Sequence, residues 1–372
     1  MAETVAVIGL GTMGLGIAQV YAAAGFQVLA TDMYAPARET AVQRLTDGLA
    51  PRVAAGKMAA VAAAAIVARL QLVENIAALA GAALVIEAVA EDLAAKQALF
   101  AQVETAGDCV LATNTSSLSV QAIGQGLTRP DRLLGLHFFN PAPMMKLVEL
   151  ITPEGTAPEA AALARRLTEA AGKTVVMAPD TPGFIVNRCA RPYYGEALAL
   201  LTEGRTPGDI DAAMTVAGFR MGPFALIDLI GADINLAATR GLSQAMNGHP
   251  RYHVFPALVD AVAAGRLGRK SGSGFVIGQD APAPPADAAT IALRIEATLV
   301  NEACYLAQTS ATSEADIDTA LKLGLNFPRG PFEMLAQHGA GAVRATLAAL
   351  NAAAPPALQD RYTAAPYLEA KA

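Results

Sequence analysis

A chain of 372 residues, 53% hydrophobic and 16% charged, has material for more than one core, and two or three domains are expected. Its formal net charge of -6 gives no general attraction to phosphate polymers or anionic lipid, so neither nucleic acid nor a membrane is an expected partner. Three cysteines, Cys109, Cys189 and Cys304, odd in number and without C-x-x-C spacing, argue against a disulfide framework and a zinc site, and with no leader expected before the first strand-like run the cytoplasm is the default compartment.

That first run, Thr4 to Ile8, enters Gly9-Leu10-Gly11-Thr12-Met13-Gly14, and a helical stretch follows from Leu15 to Ala24. Gly9 permits a tight turn, Gly11 lets the backbone approach a pyrophosphate, and Gly14 lets the helix pack closely on the strand, with the phosphates at the helix N-terminus beside Thr12 and Met13. The next run, Val28 to Thr31, ends at Asp32, where an acidic residue accepts hydrogen bonds from an adenosine ribose. A carboxylate there repels the extra phosphate of NADP, and neither Met33 nor Tyr34 offers a compensating charge. NAD is therefore the expected cofactor.

Residues 35–69 are helical in pattern and too long for a simple crossover. Gly56 is expected to split them into two helices that stand away from the sheet. Further apolar runs lie at Leu84 to Glu87, Cys109 to Thr113, Leu133 to Phe138, Leu147 to Ile151 and Val175 to Ala178. Continuous apolar runs alternating with helices predict a mainly parallel sheet covered on both faces, an α/β Rossmann-like doubly wound domain over residues 1–182 that ends at the breakers Pro179-Asp180-Thr181-Pro182-Gly183.

Beyond this boundary the chain reads as all-α and repeats itself. Glu196-Ala197, Asp209-Ile210-Asp211 and Gly222-Pro223-Phe224 are echoed in order by Glu302-Ala303, Asp316-Ile317-Asp318 and Gly330-Pro331-Phe332. Thr206 and Ser313 each stand three residues before an aspartate and are expected to cap the corresponding helices. Two helical domains are predicted, 183–279 and 289–372, joined by a connector carrying Pro282, Pro284 and Pro285.

In open α/β sheets ligands bind outside the carboxyl ends of the strands. Glu87, Glu91, Asn114-Thr115-Ser116-Ser117, His137 and Asn140 all follow apolar runs, and they are expected to converge on one crevice. Of the four histidines only His137 lies at a strand end, which makes it the best available base. His249 and His253 have metal-pair spacing, but Pro250 opposes the helix that would align them, and no metal site is assigned. His338, beside Gly339, reads as a helix end. Glu149 interrupts the apolar strand Leu147-Val148-Glu149-Leu150-Ile151. A buried carboxylate needs a donor, and an imidazole would serve; pairing with Lys146 or exposure to water is the plainer alternative.

These residues resemble the L-3-hydroxyacyl-CoA dehydrogenases over nearly the whole chain. The resemblance rests on Gly9 to Gly14, Asn114 to Ser117, His137-Phe138-Phe139-Asn140-Pro141, Lys146 to Glu149 and Pro182-Gly183-Phe184-Ile185-Val186-Asn187-Arg188. It implies that His137 is the catalytic base, that Glu149 orients it, and that Ser116 and Asn187 bond the substrate around the reacting carbon. It also implies that Glu91, Lys96, Ser116, Asn140 and Lys270 hold NAD or frame its pocket, with Gly268 to Phe275 similar to the family's segment and Val276 replacing its usual aromatic. The implied partner is an acyl-CoA thioester. Family positions that touch CoA appear as Gly48 and Ala55, with Arg52 and Lys57 nearby. The second helical copy resembles that of the longer members, so a monomer with an internal pseudo-dimer is expected beside the alternative of a homodimer. Competing readings are a β-hydroxyacid or gulonate-type dehydrogenase acting on a free acid, and a sensor that binds NAD or acyl-CoA without turnover.

Overall fold

The computed structural model describes residues 3–371, and the chain divides into two compact units, one ending at Thr181 and the other beginning at Pro182. The first unit holds eight strands: β1 (Thr4–Ile8), β2 (Gln27–Thr31), β3 (Leu70–Leu72), β4 (Leu84–Glu87), β5 (Val110–Thr113), β6 (Leu133–Phe138), β7 (Leu147–Ile151) and β8 (Thr174–Ala178). They form one sheet in the order β3-β2-β1-β4-β5-β6-β7-β8. Every neighbouring pair is parallel except β6 and β7. The connection 139–146 explains that exception, because a parallel return needs a crossover of about a dozen residues or more. The central strands β4 to β7 are buried along their whole length, as expected of strands covered on both faces.

Strand β3 has no counterpart among the predicted runs: three residues at a sheet edge carry too little pattern. The stretch 35–69 forms three helices, Ala35–Glu39, Ala41–Ala54 and Ala60–Ala68. Gly56 divides the last two with a φ of +66°, a backbone conformation that suits glycine. These helices do not stand clear of the domain. Ala41, Leu45, Leu49 and Ile66 are buried in the same apolar cluster as the strands and the helix Thr12–Ala23, while the opposite face, including Arg52 and Lys57, is exposed.

The helical unit is built from two sets of elements in one order. Arg191–Thr202, Pro207–Val216, Pro223–Ile230 and Ala232–Ala245 are matched by Ala288–Thr309, Glu314–Leu325, Pro331–His338 and Ala340–Ala353. Both expected caps form: Thr206 Oγ1 accepts from Asp209 N at 3.1 Å, and Ser313 Oγ from Asp316 N at 3.0 Å. The two Gly-Pro-Phe turns also have a common cause. Asp211 accepts from the amides of Phe224 and Ala225 at 2.9 and 2.7 Å, and Asp318 from those of Phe332 and Glu333 at 2.8 and 3.1 Å. A Cβ at Gly222 or Gly330 would fall 2.3 Å from the respective carboxyl carbon, so only glycine admits this approach.

Two buried carboxylates tie the copies together reciprocally. Glu196, in the first set, accepts from Arg294 (2.7 Å), Arg361 (3.2 Å) and Tyr362 (3.0 Å) of the second. Glu302, in the second, accepts from Arg188 (2.7 Å), Arg251 (3.0 Å) and Tyr252 (2.5 Å) of the first. Corresponding residues of the two copies thus exchange partners reciprocally, the pairing pattern found at an isologous interface.

Candidate active site

The glycine-rich loop connects β1 to the helix Thr12–Ala23, whose N-cap is Gly11 and whose first amides have no side-chain cap. Gly9 has a φ of +95°, and a Cβ there would lie 2.6 Å from the Ala88 carbonyl oxygen. A Cβ at Gly14 would lie 1.8 Å from the Gly9 carbonyl oxygen, whereas the space above Gly11 is open. Two glycines therefore close the turn and the third leaves room at a helix N-terminus, with exposed Thr12 and half-buried Met13 beside it. This cradle fits a pyrophosphate. Asp32 faces the same loop: Oδ2 accepts from Leu10 N at 2.6 Å and Oδ1 from Tyr34 N at 2.8 Å. Each carboxylate oxygen keeps a second acceptor site for a ribose hydroxyl.

Sequence reading missed two cations here. Arg38 donates to the Asp32 carbonyl at 2.8 Å, and Arg44 donates to the carbonyls of Leu10 and Ala37 at 2.8 and 2.7 Å. Both come from the helices after β2, and no local spacing links them to the glycine loop.

At the next strand ends the carboxylates separate into two roles. Glu87 does not face a crevice as expected but is fully buried. It accepts from Lys96 Nζ (2.6 Å), Thr113 Oγ1 (2.7 Å) and Val89 N (2.7 Å). Lys96 is 1% exposed and also lies 3.4 Å from Glu91 Oε2, so it sits beneath the loop as counter-ion to both carboxylates. Glu91 accepts from Thr115 Oγ1 (2.6 Å), Ser116 N (2.9 Å), Ser117 N (3.1 Å) and Ser117 Oγ (2.9 Å), while Ser116 Oγ lies at the 3.5 Å limit. Burial alone would raise the Glu91 carboxyl, but the Thr115 hydroxyl, Lys96 and these donors together hold it below the ordinary carboxylate range.

Such a depressed group lends stability above its ordinary pKa and loses it as pH falls through the depressed value. Glu91→Gln is therefore expected to cost about 1 kcal/mol at pH 7, discounted for the exposed edge of Glu91. The difference between the urea midpoints of parent and variant should shrink below about pH 4. A constant gap across that range would refute the assignment.

The feature with the clearest chemical meaning is the pair His137 and Glu149. They stand directly opposite each other across β6 and β7, and His137 Nδ1 lies 2.6 Å from Glu149 Oε2. Glu149 is fully buried and His137 is 6% exposed. The alternatives of Lys146 or water as the carboxylate's partner give way to the imidazole. A carboxylate on Nδ1 fixes the tautomer in which Nδ1 carries the hydrogen and Nε2 is the basic nitrogen, and it stabilises the imidazolium that forms on protonation. Asn114 Oδ1 accepts from Phe138 N at 2.8 Å, fixing the end of β6 beside the histidine, and the Phe139 ring packs 4.5 Å from the imidazole centroid. Asn140 is exposed in the turn that follows. Asp180, another residue that sequence reading passed over as part of a breaker run, accepts from Ser119 Oγ and the amides of Val120 and Gln121 at 2.8–2.9 Å, anchoring the segment after Ser117.

Two predicted site residues belong to the helical unit. Asn187 lies in the short helix Val186–Cys189, where its carbonyl accepts from Arg191 at 3.2 Å. Lys270 lies in the 3-10 turn Arg269–Ser271 and pairs with Asp233, lowering that carboxyl. Of the other histidines, His249 Nδ1 accepts from Arg251 N at 3.2 Å, His253 packs on Phe255, and His338 ends its helix against Glu296.

A glycine-loop nucleotide cradle at one set of strand ends and a buried imidazole–carboxylate pair in the same sheet define a dehydrogenase of the doubly wound class. Residues 4–181 match the family model of the 3-hydroxyacyl-CoA dehydrogenase NAD binding domain, and residues 183–278 and 291–372 match that of the C-terminal domain. The chain belongs to the 3-hydroxyacyl-CoA dehydrogenase family. It is 38% identical to the 3-hydroxyadipyl-CoA dehydrogenase of Escherichia coli K12 over 91% of either chain. It is also 38% identical to the 3-hydroxybutyryl-CoA dehydrogenase of Clostridioides difficile over 73% of this chain and 97% of that one. The crystal structure of 3-hydroxybutyryl-CoA dehydrogenase from E. coli K12 superposes with a TM-score of 0.92 at 35% identity, covering 100% of this chain and 98% of the other. The activity is accordingly NAD-dependent oxidation of a 3-hydroxyacyl-CoA to the 3-ketoacyl-CoA, and the free-acid and sensor readings give way to it.

Proposed function

We propose that His137 is the general base of this oxidation, a role carried above all by its buried 2.6 Å contact with Glu149. In the forward direction Nε2 takes the proton of the 3-hydroxyl while Nδ1 stays bonded to the carboxylate, so Glu149 stabilises the imidazolium without taking its proton. A bound NAD, held by the glycine loop and Asp32, would supply the acceptor for the hydride that leaves C3. Ser116 and Asn187 hold the hydroxyl, and in the reverse direction their donors polarise the ketone. Gly9, Gly11, Thr12, Met13 and Gly14 cradle the pyrophosphate, and Asp32 takes the ribose. Glu91, Asn140 and Lys270 frame the nicotinamide end. The burial of Lys96 supports a part in positioning Glu91 from below rather than in direct contact.

The preferred substrate in this reading is an L-configured, short or medium acyl thioester of fatty-acid or phenylacetate-type catabolism, and the name of the E. coli relative adds a dicarboxylic acyl group to the candidates. Residues 183–279 and 289–372 are two copies of one helical domain, and the reciprocal Arg–Glu pairs support a monomer in which the second copy stands where a partner subunit would. Three buried cysteines, odd in number, suit the reducing cytoplasm. Among the described residues no helix is long and apolar enough to cross a membrane.

The test follows NADH absorbance with acetoacetyl-CoA, then the reverse reaction with L- and D-3-hydroxybutyryl-CoA and with free 3-hydroxybutyrate. Reaction of the L-thioester alone is expected. Turnover of the free acid without the thioester would overturn the substrate assignment.

A further inference from the structure

Arg191 opens the helix Arg191–Thr202 and is 8% exposed, yet it makes no ion pair among the described residues. Its guanidinium goes to neutral acceptors instead. Nε donates to the Asn187 carbonyl at 3.2 Å, and Nη1 donates to the Asn235 carbonyl at 3.4 Å and to Thr239 Oγ1 at 3.1 Å. Asn235, 2% exposed, keeps a buried Nδ2 without a partner. A buried cation without a carboxylate and an orphaned buried donor both cost stability.

The helical fold does not require these polar side chains. Counted from the matched Glu196 and Glu302, Arg191 corresponds to Ala297 in the second copy. Counted from Gly231 and Gly339, which precede the last pair of matched helices, Asn235 and Thr239 correspond to Val343 and Leu347. Ala297, Val343 and Leu347 are all buried, so the second copy packs these positions as plain core. What the first copy holds beside its polar cluster is Asn187, which Leu293 replaces in the second. The chain is also interrupted there. The short helix Val186–Cys189 stops before Ala190, and the next helix has Pro192 in its first turn, with no N–H to offer the turn before it. The Arg191 side chain fastens the Asn187 carbonyl at this junction to the helix Ala232–Ala245.

We propose that Arg191, backed by Asn235 and Thr239, is a positioning residue for the reaction: it locks the backbone of Asn187, so that the side-chain amide meets the reacting oxygen in one orientation. This rests on the reading above in which Asn187 bonds that oxygen.

The second copy supplies the variant. In Arg191→Ala, Asn235→Val, Thr239→Leu the first copy carries the residues that the second already packs. Parent and triple variant of the full chain are compared with acetoacetyl-CoA and NADH, each with Asn187 and with Asn187→Ala. With Asn187 present, the triple substitution is expected to lower kcat about 10- to 100-fold while KM changes less than about three-fold. With Asn187→Ala its effect should be below about two-fold, because the group to be positioned is gone. Unchanged kcat with Asn187 present, or the same fractional loss in both backgrounds, overturns the proposal. Amide hydrogen exchange gives a readout apart from turnover: protection over residues 184–190 should fall at least about 10-fold in the triple variant, while that of the helix Ala288–Thr309 holds. If Asn187→Ala leaves kcat at the parent value, the substrate role of Asn187 fails instead. The exchange result alone then decides whether Arg191 holds the junction, and equal protection overturns that as well. If the triple variant does not fold, Arg191→Met, which keeps the buried stem, takes its place in the same comparisons.

Discussion

Replacing His137 with glutamine is expected to lower turnover about 10²- to 10⁴-fold, the usual contribution of a positioned acid or base. The argument is one of capacity rather than shape. Glutamine can donate to Glu149 and fill much of the imidazole's volume, so the buried carboxylate keeps a partner and the β6–β7 pairing survives. It cannot take up a proton at neutral pH, and the hydroxyl must then surrender its proton to water. Fluorescence titration should give an NADH affinity close to the parent's, because the glycine loop and Asp32 are untouched. Near-normal turnover with either thioester would remove His137 from the role of base.

Glu149→Gln is expected to cost at least about 10²-fold in turnover although Glu149 is closed off from solvent. Two effects add. The amide carries no charge to balance an imidazolium, and when its NH₂ donates to Nδ1 it favours the tautomer whose Nε2 already bears hydrogen and cannot accept another. A residue that acts only through the histidine should depress kcat and leave KM for the thioester near the parent value, and Glu149→Asp should restore part of the loss. A rise in KM with kcat intact, or no recovery with aspartate, would sink this role.

Local features of the fold were legible in the sequence. The glycine loop, Asp32 and the strand ends are encoded by neighbours in the chain, and seven of the eight strands announce themselves as apolar runs; β3 does not, being a three-residue edge strand. The partner of Glu149 was open because it depends on the direction in which β7 pairs, and only the antiparallel register sets His137 opposite. Glu87 misled for a related reason: its place at a strand end looks like that of Glu91, yet Lys96 from the following helix and Thr113 from the neighbouring strand draw it inward. The repeat was visible through matched landmarks, but the exchange of arginines between copies appears only once the two sets of helices are docked.

That exchange has a consequence for how the two halves can diverge. In an assembly of identical subunits, every substitution at an isologous contact appears on both sides at once. Here Arg188 meets Glu302 and Arg294 meets Glu196 within one polypeptide, so each half mutates alone and dilution cannot part them. Counted from the matched Arg188 and Arg294, Leu293 occupies in the second copy the position of Asn187 in the first, and counted from the matched Gly222 and Gly330, Pro328 occupies that of Arg220. Two copies within one chain thereby permit an asymmetry closed to a pair of identical subunits: one half can carry Asn187 and Arg220 while the other carries Leu293 and Pro328 at the matched positions.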